Sequence, residues 1–248
     1  MAISLLLPIV ISVCIATYNG ASYILLQLQS ILSQLGLDDE VIVSDDGSTD
    51  GTLDVIRQVA VKSRTPIRIL SNPGPHGYTP NFENALRSAQ GDYIFLSDQD
   101  DIWLEDKVTT MLLPLREEGY ALAVSNAMVC DDEGQPLPTS DYFALRGVSR
   151  GLCGNIVKFG YLGCCLAFRR EVLDRALPFP SNHRLCTHDQ WLYLCGELTG
   201  KVKVIERPLI RYRRHGATAT TGAFNAHKPL SFRLRYRLYV CWALIRHR

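Results

Sequence analysis

The chain has 248 residues, 47% hydrophobic and 21% charged, a globular composition that excludes a disordered or collagen-like protein. A formal net charge of +1 excludes a uniformly basic nucleic-acid-binding protein, so nucleic acid is not an expected partner. Residues 1–200 carry 14 Lys and Arg against 24 Asp and Glu, and residues 201–248 carry 12 against one, so their net charges of −10 and +11 sum to +1. We therefore expect a cation or phosphate site in the acidic body and an anionic surface facing the basic end.

The first hundred residues predict strands that alternate with helices. The apolar run at the beginning is short, contains Pro8 and leads into a turn, which favours a buried strand over a signal peptide or membrane span. The predicted strands are 9–16, 40–44, 67–70 and 93–96, and the predicted helices are 24–35, 52–60 and 81–90. This order predicts an α/β fold with a mostly parallel sheet covered by helices.

Beyond residue 103 the pattern is less regular. The predicted elements are a helix over 105–118, a strand over 121–126, a turn over 131–134, a helix over 189–198 and an extended segment over 203–213. Residues 135–160 are glycine-rich and receive no assignment. The eight cysteines form no CxxC pair and no zinc-like spacing, so we interpret them as reduced thiols of a cytoplasmic protein.

An acidic segment follows the predicted strand at 93–96. Residues i and i+2 of an extended chain point to the same side, so Asp98 and Asp100 can present two carboxylates to one site. Close carboxylates repel each other unless a cation lies between them, and Mg²⁺ is commonly shared between carboxylates and the phosphates of a substrate. The alternative interpretation is a solvated acidic turn.

A second acidic segment, residues 44–51, follows the strand at 40–44. A carboxylate there can accept a hydrogen bond from a nucleotide base or a ribose hydroxyl, and we expect Asp46 to do so. We expect Asp50 to cap the next helix, and the alternative for the whole segment is an Asx-type turn. The chain contains no GxGxxG, P-loop or GxSxG motif, so phosphate must be held in another way.

Taken in order, several segments resemble the family 2 glycosyltransferases with the GT-A fold. The resemblance is carried by residues 17–20 (TYNG), 45–50 (DDGSTD), 98–103 (DQDDIW), 163–168 (GCCLAF), 188–191 (HDQW) and 212–216 (YRRHG). It extends over about residues 8–220, and no single motif is specific by itself. The DQDDIW and YRRHG segments are most similar to bacterial rhamnosyltransferase-type members of the family.

The resemblance implies a role for each matching residue. Ala16 and Tyr18 would flank the nucleotide base, Asp46 would hydrogen-bond to it, Asp98 would reach the ribose, Asp100 would bind Mg²⁺ or Mn²⁺ and His215 would complete the metal shell. His188-Asp189 replaces the Glu-Asp pair of the family, so the catalytic base is assigned to Asp189 and His188 has no assigned role. The alternatives are a helix cap at Asp189 and an ordinary surface or core histidine at His215.

The implied reaction is a metal-dependent inverting transfer from a nucleoside-diphosphate sugar to a hydroxyl of a polysaccharide or lipid-linked acceptor. The subgroup resemblance indicates dTDP-L-rhamnose as the donor, with Cys164, Cys165 and Leu166 as an apolar wall for its methyl group. The other interpretations are a sugar-phosphate nucleotidyltransferase, whose glycine- and arginine-containing loop is not found after the first strand, and a catalytically inactive nucleotide-sugar-binding protein.

The two predicted parts of the chain are a GT-A, Rossmann-like domain over 1–225 and a basic, aromatic tail over 226–248. The tail mixes arginines with aromatic residues, which predicts peripheral contact with an anionic membrane at its cytoplasmic face. The alternative is that the tail packs back on the catalytic domain.

Overall fold

The computed structural model of the chain describes residues 9–214 and 229–247. The strands within these ranges are β1 (Ile11–Thr17), β2 (Glu40–Asp45), β3 (Ile67–Ser71), β4 (Tyr93–Asp98), β5 (Ile102–Trp103), β6 (Tyr120–Cys130), β7 (Pro136–Asp141), β8 (Leu166–Arg169) and β9 (Lys201–Arg213). The helices are α1 (Ile24–Leu32), α2 (Thr52–Lys62), α3 (Tyr78–Arg87), α4 (Lys107–Arg116), α5 (Tyr142–Arg146), α6 (Gly151–Val157), α7 (Arg170–Ala176), α8 (His188–Thr199) and α9 (Leu230–Arg246).

All of these strands belong to one mixed sheet. Its order is β3-β2-β1-β4-β8-β6-β9-β5, and β7 pairs with β6. Strands β1, β2, β3, β4, β6 and β9 run in one direction, and β5, β7 and β8 run in the other. The predicted α/β fold with a mostly parallel sheet is therefore confirmed.

Strand β1 lies between β2 and β4 in the parallel part of the sheet. Val13, Ile15, Val43 and Phe95 are completely buried, as expected for parallel strands covered on both faces. The register places Ala16 beside Ser44 of β2 and beside Asp98 of β4. The carboxyl ends of the three strands thus meet at one edge, where sites form in open α/β sheets.

Two regions differ from the sequence-based expectation. Helix α3 begins at Tyr78, three residues before the predicted start, because Pro80 lies in the first turn, where a missing N–H costs no helical hydrogen bond. Residues 135–160, left without assignment, form β7, α5 and α6. Strand β7 pairs with β6 but has mostly exposed side chains, so its sequence lacks the run of apolar residues that would indicate a strand.

The basic tail forms the helix α9, which packs on the body of the protein. Val240 and Ala243 are buried. The Tyr239 hydroxyl accepts a 2.9 Å hydrogen bond from the backbone N–H of Asn182, and the Tyr236 hydroxyl accepts one from the side chain of Gln190. In the described part of the chain, α9 included, no helix is both long and apolar enough to cross a membrane.

Candidate active site

The turn that follows β1 is bound to the turn that follows β2. The side-chain oxygen of Asn19 accepts a 2.8 Å hydrogen bond from the N–H of Thr49, and the N–H of Asn19 donates to the Ser48 hydroxyl at 2.9 Å. The N–H of Gly20 donates to the Thr52 hydroxyl at 2.8 Å. Asn19 adopts φ 48°, a left-handed conformation that asparagine tolerates better than most residues. The two turns therefore form one rigid edge.

Two acidic residues of the second turn stabilise its backbone. Asp45 accepts hydrogen bonds from the N–H groups of Gly47 at 3.1 Å and Ser48 at 2.8 Å. The N-cap of α2 is Gly51 and not the predicted Asp50, which lies one residue earlier and accepts a 3.0 Å hydrogen bond from the N–H of Thr52, the first residue of α2. Their carboxylates are thus used within the fold.

Asp46 contacts a different loop, residues 72–77, after β3. Its carboxylate accepts hydrogen bonds from the side chains of Asn72 at 2.6 Å and His76 at 2.9 Å, and from the N–H of Gly77 at 2.8 Å. A carboxylate offers about four acceptor positions, so these three partners leave room for one further donor. A nucleotide base that donates an N–H to Asp46 would therefore share this carboxylate with residues 72–77.

Gln99 joins the first turn to the acidic segment after β4. Its side-chain oxygen accepts a hydrogen bond from the N–H of Tyr18 at 2.9 Å, and its side-chain nitrogen donates to the carbonyl of Tyr18 at 3.0 Å. A Cβ at Gly20 would lie 2.3 Å from Gln99 Oε1, so this approach requires glycine. The structure thus brings Ala16, Tyr18 and Asp98 together, with the Tyr18 side chain 57% exposed. Gln99 was not a predicted site residue.

The carboxylates after β4 form a cluster with a cysteine. One ligand atom each of Asp98, Asp101 and Cys164 lie within 4.8 Å of one another. Burial and, second to it, the nearby Asp100 carboxylate together raise the pKa of Asp98 to about 7. Burial and the same Asp100 carboxylate also raise the pKa of Asp101 well above its usual range. Asp98 and Asp100 therefore do influence each other, and Asp101 is a further acidic member that was not a predicted site residue.

The surroundings of Asp101 fit a cation. Its Oδ1 accepts a 3.2 Å hydrogen bond from the N–H of Arg213, whereas Oδ2 is buried without a hydrogen-bond partner among the residues the structure describes. Carboxylate oxygens are the ligands that Mg²⁺ and Mn²⁺ prefer, and a cation would relieve the repulsion between buried carboxylates. The chemistry of these side chains therefore fits a divalent metal. The predicted metal ligand His215 lies outside the described residues.

Lys107, the first residue of α4, contacts the cluster of Asp98, Asp101 and Cys164 through the backbone of Cys164. Its side chain is completely buried and donates a 3.1 Å hydrogen bond to the carbonyl of Cys164. The ammonium group also lies 5.1 Å from the ring centre of Trp103, and burial lowers its pKa. Lys107 thus fixes the 3-10 turn at residues 163–165, and no sequence motif pointed to it.

Asp189 is the second residue of α8, and Thr187 is the N-cap. Its Oδ1 accepts hydrogen bonds from the N–H of Gln190 at 2.8 Å and from the Thr187 hydroxyl. Among residues 9–214 and 229–247, no hydrogen bond goes to its Oδ2. The negative charge of Asp189 is the smallest of the effects that raise the pKa of Asp98, so the two carboxylates lie close enough to interact.

The His188 side chain is buried between α3 and the 3-10 turn at residues 163–165. Its ring stacks on Phe82 of α3 with centroids 4.3 Å apart, and burial lowers its pKa, so the imidazole is neutral at pH 7. A Cβ at Gly163 would lie 2.6 Å from His188 Nε2 and 3.4 Å from Asp189 Cβ. Glycine at this position therefore lets the 3-10 turn approach α8, and His188 is a packing residue beside Asp189.

Comparisons with known proteins agree with this architecture. Residues 12–177 match the family model described as "Glycosyl transferase family 2". An uncharacterized glycosyltransferase of Nostoc sp. is 30% identical over 87% of this chain and 68% of its own length. The dTDP-rhamnosyl transferase RfbG of Shigella flexneri is 29% identical over 81% and 71%. The UDP-Glc:alpha-D-GlcNAc-diphosphoundecaprenol beta-1,3-glucosyltransferase WfaP of Escherichia coli is 31% identical over 96% and 95%.

Solved structures show the same fold. TarS of S. aureus in complex with UDP-GlcNAc superposes with a TM-score of 0.68 and 18% identity, over 93% of this chain and 71% of that protein. The mannosyltransferase PcManGT of Pyrobaculum calidifontis, in complex with GDP-Man and Mn²⁺, superposes with a TM-score of 0.67 and 22% identity, over 95% and 64%.

Proposed function

This chain belongs to glycosyl transferase family 2, and we propose that it is a metal-dependent, inverting enzyme that transfers a sugar to a polysaccharide or lipid-linked acceptor. The observation that carries the proposal is that the carboxylates after β4 and Asp189 both lie at the 3-10 turn of residues 163–165. Cys164 of this turn lies within 4.8 Å of Asp98 and Asp101, and a Cβ at Gly163 would lie 3.4 Å from Asp189 Cβ. One group of side chains can bind the donor diphosphate through a metal, and the other can receive a proton. Family membership favours this reaction over that of a sugar-phosphate nucleotidyltransferase.

In the proposed donor site, Ala16 and Tyr18 flank the nucleotide base, Asp46 accepts a hydrogen bond from it, and Asp98 binds the ribose. Asp100 and His215 hold Mg²⁺ or Mn²⁺, and the partnerless Oδ2 of Asp101 makes this residue a further ligand candidate. When bound, the metal supplies charge stabilisation for the leaving diphosphate. The Mn²⁺ bound together with GDP-Man in the PcManGT complex supports the choice of metal.

Asp189 is the proposed catalytic base. Its Oδ1 is fixed by the N–H of Gln190 and the hydroxyl of Thr187, so Oδ2 is oriented to accept the proton of the acceptor hydroxyl. Attack by this hydroxyl on the face opposite the leaving diphosphate inverts the anomeric centre. The same hydrogen bonds hold Asp189 in the first turn of α8, where Thr187 and not Asp189 is the N-cap.

We propose dTDP-L-rhamnose as the donor. The name of the relative RfbG supports this choice. Cys164 lies beside Asp98 and is buried, as are Cys165 and Leu166, so the proposed wall forms the floor beneath the carboxylates. An apolar wall accepts the methyl group of a 6-deoxy sugar and disfavours the hydroxyl of a hexose. UDP-glucose is the second candidate, because the relative WfaP carries that donor in its name and matches nearly the whole chain.

The test is a competition assay with the full chain, Mn²⁺, and equal concentrations of dTDP-rhamnose, UDP-glucose and UDP-galactose. We expect rhamnosylated product to dominate. A clear preference for a UDP-hexose would reject the rhamnose assignment and leave the transferase proposal intact. Donor-dependent thermal stabilisation without product from any donor and acceptor pair would instead support the inactive nucleotide-sugar-binding protein, since a ligand at 100 times its Kd adds about 2.7 kcal/mol.

The proposed acceptor is a polysaccharide or a lipid-linked sugar at the cytoplasmic face of the membrane. The relative WfaP, named for a diphosphoundecaprenol acceptor, supports the lipid-linked form. We propose residues 1–225 as the transferase domain and 226–248 as a tail that makes peripheral contact with an anionic membrane.

A further inference from the structure

Helix α9 carries a row of apolar side chains that face solvent, here called the outer face. These residues are between 48% and 76% exposed: Leu230, Leu234, Leu238, Trp242 and Ile245. The first four are spaced by four residues and the last by three, so at 3.6 residues per turn all five lie within an arc of about 120°. A continuous exposed apolar row of this length indicates a surface that is covered by a partner.

The opposite side of α9 is already used by the fold. Val240 and Ala243 are buried against the body, and the hydroxyls of Tyr236 and Tyr239 accept hydrogen bonds from Gln190 and Asn182. These contacts fix the rotation of α9 about its axis, so the outer face must point away from the body. The two interpretations of the tail are therefore compatible, because one side packs and the other remains open.

Arginines border the outer face on both sides. On the helical projection, Arg233 and Arg237 lie along one border, and Arg235 and Arg246 lie along the other. No acidic residue occurs anywhere in residues 207–248. An apolar row with a cationic border on each side is complementary to a bilayer with anionic headgroups, where the arginines bind phosphates and the apolar side chains enter the acyl boundary.

We propose that α9 lies in the plane of an anionic membrane, with its outer face buried at the boundary between headgroups and acyl chains. The helix has 17 residues, so it is about 26 Å long, and four arginines prevent it from spanning the bilayer. The helix thus binds at the membrane interface. The leucines and Trp242 set how deeply it enters the bilayer, and the arginines set its preference for anionic headgroups.

The placement of α9 connects this surface to the reaction. Gln190, the neighbour of Asp189 in α8, donates to the Tyr236 hydroxyl on α9, so the membrane-binding helix contacts the first turn that carries the proposed base. Docking would bring Asp189 near the bilayer surface, where a lipid-linked acceptor presents its sugar. This last step rests on the proposed function, whereas the docking itself does not.

Intrinsic fluorescence provides a direct test, because Trp242 is exposed while Trp103 and Trp191 are buried. The chain would be titrated with vesicles of phosphatidylglycerol and phosphatidylcholine, and with vesicles of phosphatidylcholine alone. We expect a blue shift and quenching by brominated acyl chains with the anionic vesicles, weakened by added salt. Binding that leaves Trp242 in water, or equal binding to neutral vesicles, would overturn the proposal.

Two variants identify the surface. Leu234→Gln with Leu238→Gln should lower the vesicle partition coefficient at least about ten-fold, and Arg233→Gln with Arg235→Gln, which leaves Arg237 and Arg246, should weaken its salt dependence. The matched control is Leu37→Gln with Val61→Gln, which removes two exposed apolar side chains far from α9 and should bind like wild type. Wild-type binding by the Leu234→Gln, Leu238→Gln variant would overturn the proposal. So would a stable dimer that this variant dissociates, because the outer face would then belong to a second copy.

Transfer to a short water-soluble acceptor separates this inference from the proposed function. The Leu234→Gln, Leu238→Gln variant should retain that activity and lose transfer to a lipid-linked acceptor in vesicles. If wild type binds anionic vesicles through Trp242 but transfers no sugar to any acceptor, the docking stands and the proposed function fails. Circular dichroism and thermal unfolding of both variants verify that α9 remains folded.

Discussion

The two sides of the candidate site are held in place by different means. On the donor side, the turns after β1, β2 and β4 are bound to one another by hydrogen bonds of Asn19, Ser48 and Gln99, each to the backbone of another turn. On the acceptor side, Asp189 is held by its own helix, and α8 is positioned by the packing of His188 on Phe82 and by the contact with α9.

This difference separates binding from chemistry. The donor side is a rigid edge whose hydrogen bonds exist before any ligand arrives, so changes there should act mainly on donor affinity. The acceptor side depends on packing between distant segments, and its reactive group is one carboxylate. Changes there should act mainly on the rate of transfer.

The largest expected effect is that of metal removal. Excess EDTA should lower turnover by roughly 10³-fold, since a bound divalent cation contributes several kcal/mol to stabilising a leaving diphosphate. Added Mn²⁺ should restore it. Asp100→Asn should weaken Mn²⁺ binding in a calorimetric titration, and Glu105→Gln, an exposed acid nearby, is the control. Full turnover in EDTA would show that the reaction does not need a metal, and unchanged metal affinity in Asp100→Asn would show that Asp100 is not a ligand.

The next effect isolates the acceptor side. Asp189→Asn should lower the rate of transfer by at least about 10²-fold, the usual contribution of a general base, and should leave donor affinity unchanged. Asparagine keeps the oxygen that accepts from Gln190, so α8 should begin as it does in wild type. Asp174→Asn, an exposed acid on α7, is the matched control. Normal turnover of Asp189→Asn would show that this residue has only a structural role in the first turn of α8.

The way in which each residue is held in place also explains which features the sequence could predict. Strands β1, β2 and β4 are buried on both faces and end in turns of Asn, Asp and Gly, so hydrophobic runs and turn residues located both the strands and Asp98. The contribution of Gln99 depends on an approach to Tyr18, 81 residues away in the chain, which local patterns do not encode. Lys107 and His188 are equally products of long-range packing. Helix α9 showed no single apolar face in sequence because it has two, one toward the body and one toward solvent.

A smaller effect would sharpen the donor side. Gln99→Ala removes two hydrogen bonds to the Tyr18 backbone, each worth about 1 kcal/mol at most in this exposed position, and frees the first turn. We expect the KM for the donor to rise about five- to ten-fold with little change in kcat. Gln90→Ala, which removes an exposed side chain after α3, should have no effect. A fall in kcat with unchanged KM would contradict the division between the two sides.

The smallest effect concerns stability on the acceptor side. Burial lowers the pKa of His188 from its usual 6.5, against the opposing charge of Asp189, so the folded protein keeps this imidazole neutral. The unfolded chain takes up the proton first as pH falls, so His188 costs stability progressively below about pH 6.5. The loss cannot exceed about 1.4 kcal/mol per pH unit for one proton, hence about 2 kcal/mol between pH 6.5 and 5.

Thermal unfolding of wild type and His188→Gln across this pH range measures the contribution. The raised pKa values of Asp98 and Asp101 change the stability with pH in the direction opposite to His188. Both proteins contain these two residues, so their contribution cancels and the difference between the curves isolates His188. We expect His188→Gln to be less stable than wild type at pH 7.5, because the stacking on Phe82 is lost, and the two curves to converge toward about pH 5. Parallel curves for His188→Gln would mean that the imidazole becomes protonated in the fold, and that α8 is not held by a neutral, packed histidine beside its proposed base.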